Sequence, residues 1–307
     1  MNASSAKRLV FLVFCLVTVL TYAQPKKLTL ATYTYADNNR LQNIQPLASA
    51  LSRELGLPVD IKSYPNVSAF IQGLEAGEVD IALISTFGYL LLTNRNDQQY
   101  IPVAALQTAS STRDNYKTAL IARKSLPIDN LTQLKDRSAL YRMTFVSETS
   151  TSGNLIPRAF LYGSGITQPE KQFKQVTYSK THAAAVQQVI DGQTDLAAFG
   201  SEEYYKAIHR DSLATRQVKL IWLSGEIPLG PVLLKKSISV PVQKKIQQVL
   251  LTLHQQYPGA LISLRSGWSE AKQAERFRPI DMAFYHAYQR EIGAPRELIE
   301  SFANLIR

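Results

Sequence analysis

From residue 28 onward, the chain alternates short apolar segments with longer amphipathic ones. The segments 28–33 and 59–63 are rich in β-branched and aromatic residues, and this composition predicts strands. Residues 43–55 between them repeat apolar positions at helical spacing, and the following Gly56 predicts the end of a helix. This alternation of strand and helix patterns predicts an α/β fold.

One helix–turn–strand pattern occurs twice. LEAGEVDIALIS at 74–85 can be laid over VIDGQTDLAAFG at 189–200, an offset of 115 residues from the matched glycines (192 − 77). Each copy predicts a helix end, a glycine cap, a short turn and a buried strand, with Asp80 and Asp195 at equal places. Any two βαβ units share such a series of helix end, glycine cap, turn and strand. The Gly-x-x-Asp entry to both strands nevertheless indicates two lobes of similar build.

The rest of the chain predicts how the two lobes are connected. Two β-rich runs, YKTALIAR at 116–123 and VKLIWLS at 218–224, are predicted to be the crossings between lobes. The segments 242–257 and 295–306 have helical patterns, with a polar stretch at 266–278 between them. The predicted limits are therefore 28–115 with 225–307 for the first lobe and 116–224 for the second.

The first 23 residues have the pattern of a cleavable secretory signal. Lys7 and Arg8 precede a run of about a dozen apolar residues that ends before Thr21-Tyr22-Ala23, and cleavage is predicted after Ala23. An uncleaved anchor is the alternative. Cleavage removes Cys15, the one cysteine, and lowers the formal charge from +10 to +8. Disulfides and thiolate chemistry are then excluded, and a basic surface favours anionic ligands.

The stretch SETSTSGNLIP at 147–157 is a candidate anion site. Its Ser and Thr residues lead through Gly153 into an apolar segment at 154–162 that predicts a helix. Helix starts have unpaired N–H groups and a positive dipole end, so hydroxyl side chains there offer an oxyanion many donors. Taken alone, an ordinary capped helix start explains the same pattern.

Three segments together resemble the periplasmic solute-binding proteins for phosphate, phosphite and phosphonate. They are SETSTSGNLIP, the stretch YSKTHAAAVQQVIDGQTDLAAFGSEEYY at 178–205 and IWLSGEIPLGPVLLKK at 221–236. The resemblance covers about 28–253 and also includes VDIALISTFGYL. It implies the type II periplasmic-binding-protein fold, in which two α/β lobes joined by two hinge strands close over a ligand.

The resemblance also implies which residues bind the ligand. The hydroxyls of the family's oxyanion site fall on the Ser-Thr-Ser run, its histidine on His182, and an acidic residue on Glu202. The first lobe is expected to contribute residues of the loop after Ser85 and tyrosines after the first strand. The expected ligand-binding residues are Ser150, Thr151, Ser152, His182, Glu202, Thr86, Phe87, Tyr33 and Tyr35.

The sequence departs from the family pattern at Gly230. Relatives that bind an aminoalkyl phosphonate have an acidic residue after the IP turn, where this chain has IPLGP. Glu202 is then the only nearby carboxylate that can be assigned to a ligand ammonium. The departure favours phosphate, phosphite or a simpler organic anion over an aminophosphonate.

Three classes of function compete. The leading one is an exported receptor, expected to be a monomer, that captures a small anion for the membrane permease of an ABC transporter. A sensor that docks onto a membrane receptor is the second. An enzyme is the third, with Ser152, His182 and Glu202 as a possible Ser-His-acid set. Metal-ligand spacing and nucleotide-binding loops are absent from the sequence, so neither a metal nor a cofactor is expected. Scattered Lys and Arg argue against nucleic acid.

Overall fold

A computed structural model describes residues 27–35, 38–95, 99–109, 115–210, 216–291, 298, 299 and 302. The predicted signal at 1–23 lies outside the described residues. The helix predicted over 295–306 also lies outside them, except at three positions. No helix in the described ranges is both long and apolar enough to cross a bilayer.

Strands and helices alternate along the described chain. The strands are β1 (Leu28–Tyr33), β2 (Val59–Tyr64), β3 (Ile81–Leu83), β4 (Tyr100–Thr108), β5 (Thr118–Arg123), β6 (Arg142–Phe145), β7 (Gln175–Tyr178), β8 (Leu196–Gly200), β9 (Val218–Leu223), β10 (Pro231–Lys235) and β11 (Ala274–Pro279). The helices are α1 (Leu41–Leu55), α2 (Val67–Glu75), α3 (Thr86–Asn94), α4 (Leu131–Arg137), α5 (Ile156–Gly163), α6 (Pro169–Gln172), α7 (His182–Ile190), α8 (Ser201–Arg210), α9 (Val240–Gln256), α10 (Pro258–Ser266) and α11 (Met282–Glu291).

The strands form two sheets with the same internal order. The six-stranded sheet runs β11-β4-β10-β3-β1-β2 and the five-stranded sheet runs β7-β6-β8-β5-β9. In the first, β1 pairs in parallel with β2 and β3, and β10 is antiparallel to β3 and β4. In the second, β6 pairs in parallel with β7 and β8, and β5 is antiparallel to β8 and β9. We call the two sheets with their helices the first lobe and the second lobe.

The sequence repeat corresponds to the same hydrogen bonds in both lobes. Asp80 accepts from the backbone N–H of Thr29 at 2.8 Å, and Asp195 accepts from that of Arg142 at 2.9 Å. Gly77 and Gly192 precede them with left-handed φ angles of 69° and 72°, which favour glycine. In each lobe, the aspartate therefore attaches the entry of the central strand to the neighbouring parallel strand.

The chain passes between the sheets at points that differ from the prediction. The two runs at 116–123 and 218–224 do not cross between lobes, because β5 and β9 lie side by side in the second sheet. The connections are the segments just before β5 and just after β9. They run together: Ile227 donates its backbone N–H to the carbonyl of Tyr116 at 2.8 Å.

The apolar core continues from one lobe into the other near α3. The cluster on one face of the first sheet includes Phe87 from α3 and Leu155, which directly precedes the second-lobe helix α5. The same cluster contains Leu298, Ile299 and Phe302 from the end of the chain. The C-terminal residues are thus part of the core that both lobes share.

Candidate functional site

A cavity of about 210 Å³ lies where the two lobes meet. The second lobe contributes the starts of three helices to its wall. The first lobe contributes Tyr35 and the segment 269–273. The lining residues are Tyr35, Asn115, Tyr116, Ser152, Thr181, His182, Ala183, Gly200, Ser201, Glu202, Glu203, Ser269, Glu270, Lys272 and Gln273.

The second-lobe wall consists largely of helix N-termini. The helix at 151–163 begins as a single π turn (Thr151–Leu155) that runs into α5, while α7 begins at His182 and α8 at Ser201. The first turn of a helix leaves N–H groups without intrahelical acceptors and carries the positive end of the helix dipole. Three such ends at one cavity favour a negatively charged ligand.

The Ser-Thr-Ser run adopts three different roles. The Ser150 hydroxyl caps the helix by accepting from the Gly153 N–H at 3.0 Å. Thr151 Oγ1 accepts from the backbone N–H of Phe87 in the first lobe at 3.2 Å. Ser152 Oγ lines the cavity, is fully buried and has no hydrogen-bond partner among the described residues. Of the three hydroxyls, Ser152 is the one that lines the cavity, where it lies close to the Tyr116 hydroxyl.

His182 presents one defined nitrogen to the cavity. Its Nδ1 accepts a hydrogen bond from the Gly200 backbone N–H at 2.9 Å. Because an N–H can only donate, Nδ1 carries no proton, and the neutral ring must have its proton on Nε2. Burial lowers the pKa of His182, against the opposing charges of Glu270, Glu203 and Glu202. The neutral imidazole thus offers an Nε2–H donor.

Glu202 is already paired within the wall. Its Oε1 lies 2.8 Å from Lys206 Nζ and 3.6 Å from Lys272 Nζ. Glu203 lies 2.6 Å from the same Lys206. Glu203 and Glu270 line the same cavity, so Glu202 is one of three carboxylates in its wall.

Tyr35 closes the cavity from the first lobe. Its ring stacks on that of His182 with 6.3 Å between centroids, and its buried hydroxyl lies close to the Ser150 hydroxyl without the geometry of a full hydrogen bond. Burial raises the pKa of Tyr35, and the charges of Glu270 and Tyr33 add to the rise. The guanidinium of Arg40 lies over the rings of Tyr35 and Trp268, at 5.3 and 4.4 Å from their centroids. Tyr35 is therefore a neutral donor held by aromatic packing.

Three of the expected first-lobe residues, Tyr33, Thr86 and Phe87, do not line the cavity. Thr86 donates its hydroxyl proton to the Pro228 carbonyl. Phe87 is fully buried against Phe302, and Tyr33 packs on Phe70 in the core. Thr86 and Phe87 lie in the first turn of α3 and not in a loop as expected, since Ser85 caps this helix by accepting from the Gly88 N–H at 3.1 Å. Tyr33 is the last residue of β1.

Several lining residues are absent from the prediction. Tyr116 lies on the connection between lobes, and burial raises its pKa well above the ordinary value, with Glu270 adding to the rise and the Ser152 and Thr151 hydroxyls opposing it. Glu270 and Lys272 come from the polar stretch 266–278. That polarity between two amphipathic helices is the signal that could have indicated them.

The glycine at the departure from the family pattern is required by the backbone. A Cβ on Gly230 would lie 1.9 Å from the Ile84 carbonyl oxygen. An acidic side chain cannot stand there without moving β3 or β10.

The described residues contain no group of three or more His, Cys, Asp or Glu that could hold a metal ion.

Comparison with known proteins agrees with this geometry. The profile of a family described as "ABC transporter, phosphonate, periplasmic substrate-binding protein" matches residues 30–285. The phosphonates-binding periplasmic protein of Escherichia coli strain K12 is 26% identical over 275 residues, which cover 88% of this chain and 80% of that protein.

Solved structures have the same fold at low sequence identity. PhnD1 from Prochlorococcus marinus, in complex with methylphosphonate, has a TM-score of 0.65 and 21% identity, covering 88% of this chain and 98% of that one. A binding-protein component of a Pseudomonas aeruginosa ABC phosphonate transporter has the same TM-score and identity, covering 93% and 90%. The fold is thus that of the type II periplasmic binding proteins, and the chain belongs to the periplasmic substrate-binding proteins of ABC phosphonate transporters.

Proposed function

We propose that this protein captures a small phosphorus oxyanion in the cavity between its lobes and presents it to the permease of an ABC importer. The observation that carries the proposal is the convergence of donors on the cavity. Ser152 Oγ and Tyr35 Oη are buried without partners in the described structure, and His182 adds an Nε2–H beside three helix N-termini. Buried polar groups of this kind are normally satisfied, and an oxyanion would satisfy all three.

The proposed ligand contacts are Ser152, His182 and Tyr35, with Tyr116 beside them. Thr151 and Ser150 act as positioning residues, because their oxygens already accept hydrogen bonds from Phe87 and Gly153. The P–O oxygens of phosphate, phosphite or a small phosphonate match this set of donors. Similarity to a protein that binds methylphosphonate supports the same class of ligand.

The geometry supports binding without catalysis. In a Ser-His-acid set the carboxylate contacts the histidine nitrogen that does not face the serine. Here that place at His182 Nδ1 is taken by the Gly200 N–H, and Glu202 is paired with lysines. Among the described residues, no carboxylate hydrogen-bonds to His182 to orient the ring as a general base.

The remaining proposals concern the whole chain. The strand membership of the two sheets supports a first lobe of 28–115 with 225–307 and a second lobe of 116–224. Residues 1–23 are proposed to be a cleaved signal that exports the protein, which works outside the cytoplasm as a monomer.

Calorimetry of the mature chain with phosphate, phosphite and methylphosphonate tests the function. We expect heat of binding with at least one of them and no release of inorganic phosphate from methylphosphonate on prolonged incubation. Absence of binding to all three would contradict the proposal.

A further inference from the structure

The carboxylates of the cavity differ in whether they have a cationic partner. Glu202 and Glu203 lie within 2.8 Å of Lys206 Nζ, and Lys272 adds a second cation near Glu202. Glu270 forms no ion pair with any residue that the structure describes. Its carboxylate accepts a hydrogen bond from the hydroxyl of its neighbour Ser269, at 3.3 Å.

Glu270 nevertheless faces the ligand-binding donors. It lies in a short 3₁₀ turn (Ser269–Ala271) and lines the cavity opposite the second-lobe helix starts. Its charge acts on Tyr35, Tyr116 and His182, groups from three different parts of the wall. An unpaired carboxylate at this place repels a fully ionised anion. It attracts a ligand that carries a hydrogen-bond donor.

The wall beside Glu270 changes from polar to apolar. Glu270 also borders a small cavity of about 40 Å³, lined mainly by apolar side chains that include Leu229, Trp268 and Phe277. That space offers the carboxylate no alternative charged partner. Glu270 is only partly buried, so solvent satisfies its carboxylate before a ligand binds, and a donor on the ligand would take the place of that solvent.

We propose that Glu270 determines the specificity of the site by accepting a hydrogen bond from a donor group on the ligand. This inference rests on the proposed function and deepens it. Phosphorus oxyanions have a second ionisation near neutral pH, so they retain a P–O–H proton that sulfates and sulfonates lack. An ammonium group on an organic phosphonate would supply the same N–H or O–H chemistry. A fully ionised sulfonate of equal size offers Glu270 only lone pairs.

Two matched pairs of ligands separate these sources in one calorimetric experiment at pH 7. Methylphosphonate against methanesulfonate isolates the P–O–H donor, and 2-aminoethylphosphonate against ethylphosphonate isolates the ammonium. For the wild type we expect at least one pair to differ by about tenfold or more in Kd, as for a hydrogen bond to a charged group. Glu270→Gln should reduce that ratio towards one, because an amide donates as well as accepts.

Glu275→Gln is the matched control, since Glu275 lies exposed on β11 outside the cavity. It should leave both ratios unchanged. If Glu270→Gln does not fold, as judged by circular dichroism, Glu270→Asp replaces it: the shorter carboxylate should weaken binding of the preferred ligand about tenfold.

Two outcomes overturn the inference, and they are distinguishable. Wild-type ratios near one in both pairs, or ratios that persist in Glu270→Gln, would remove Glu270 as the specificity determinant and leave the proposed function intact. A wild type that binds none of the phosphorus compounds would refute the proposed function and this inference with it.

Discussion

The backbone N–H of Phe87 donates a hydrogen bond to the side-chain hydroxyl of Thr151 across a distance of 3.2 Å. Phe87 lies in the first turn of α3 in the first lobe, and Thr151 lies at the start of the π turn in the second. A main-chain group of one lobe is thus satisfied by a side chain of the other, next to the cavity. This contact therefore links the two lobes directly beside the cavity.

Thr151→Val removes the acceptor while keeping the shape of the side chain. We expect the Kd for the bound oxyanion to rise about two- to tenfold, because a net hydrogen bond contributes roughly 0.5–1.5 kcal/mol. Calorimetry measures the change. Thr252→Val is the control, since the Thr252 hydroxyl donates to the Gln248 carbonyl within α9, away from the cavity. An affinity equal to that of the wild type would show that the contact does not support closure.

His182 should make stability depend on pH. Its folded pKa lies below the ordinary value of 6.5, first because of burial. Between these two values the unfolded chain binds more protons than the folded one, so the unfolding free energy falls as the pH drops below 6.5 and is unaffected by this group above it.

Urea unfolding of the wild type, His182→Gln and His209→Gln between pH 5 and 8 checks this expectation. Gln can still accept from the Gly200 N–H but does not titrate, so His182→Gln should have the flatter profile. His209 is exposed on α8 and its variant should follow the wild type. Identical slopes in all three proteins would refute the assignment.

Asp195 should lose its stabilising effect in acid. Burial alone raises its pKa, but the hydrogen bonds and the charge of Arg142 outweigh burial and hold the pKa below the ordinary 3.8. Asp195→Asn is therefore expected to lower the unfolding free energy at pH 7 by about 1.5–3 kcal/mol. The difference from the wild type should disappear as the pH falls through the range below 3.8. Asp191→Asn, at the end of α7, is the surface control.

Gly230→Ala should be strongly destabilising. The added Cβ meets the Ile84 carbonyl oxygen at 1.9 Å, a backbone atom that can move only with β3. We expect a loss of about 3 kcal/mol in urea unfolding, at the upper end for overpacking. Gly259→Ala, in the first turn of α10 with nothing within 4 Å of its new Cβ, should instead stabilise by about 0.4–1 kcal/mol. Equal midpoints for the two variants would show that the approach at Gly230 relaxes easily.

Phe302→Ala tests whether the end of the chain belongs to the shared core. The Phe302 ring packs edge-on against Phe87 at 5.1 Å and lies under the guanidinium of Arg158 at 5.8 Å. Its removal should cost about 3–5 kcal/mol of unfolding free energy. Ile262→Ala, at an exposed position of α10, should cost far less. A small loss of unfolding free energy in Phe302→Ala would mean that Phe302 does not contribute to the shared core.

Local sequence patterns predicted the helices and strands whose limits are set by residues close to them in the sequence. Apolar spacing and Gly56 placed α1, and the Gly-x-x-Asp repeat indicated two lobes of equal topology. The pattern does not predict β11, because AERFRP is an edge strand whose charged side chains face solvent while its backbone pairs with β4. Here the long-range partner decides the structure, and the segment's own propensity does not.

The site was predictable to a similar degree. Ser152 and His182 line the cavity because they follow the carboxyl ends of neighbouring strands, a position that sequence can identify. Glu270 enters the wall from more than 80 residues away, through the fold of the C-terminal helices. The partners of Glu202 depend on side-chain packing, so the sequence alone could not distinguish a paired carboxylate from an unpaired one.

The position of β10 in the first sheet has a consequence for the order of folding. β10 lies between β3 and β4, yet more than 100 residues separate it from either strand, and these residues include all of β5–β9. During synthesis from the N-terminus, all five strands of the second sheet are made before β10. At that stage the first sheet still lacks the strand that lies between β3 and β4. The second lobe can therefore complete its sheet first, and the first lobe closes last around an already formed neighbour.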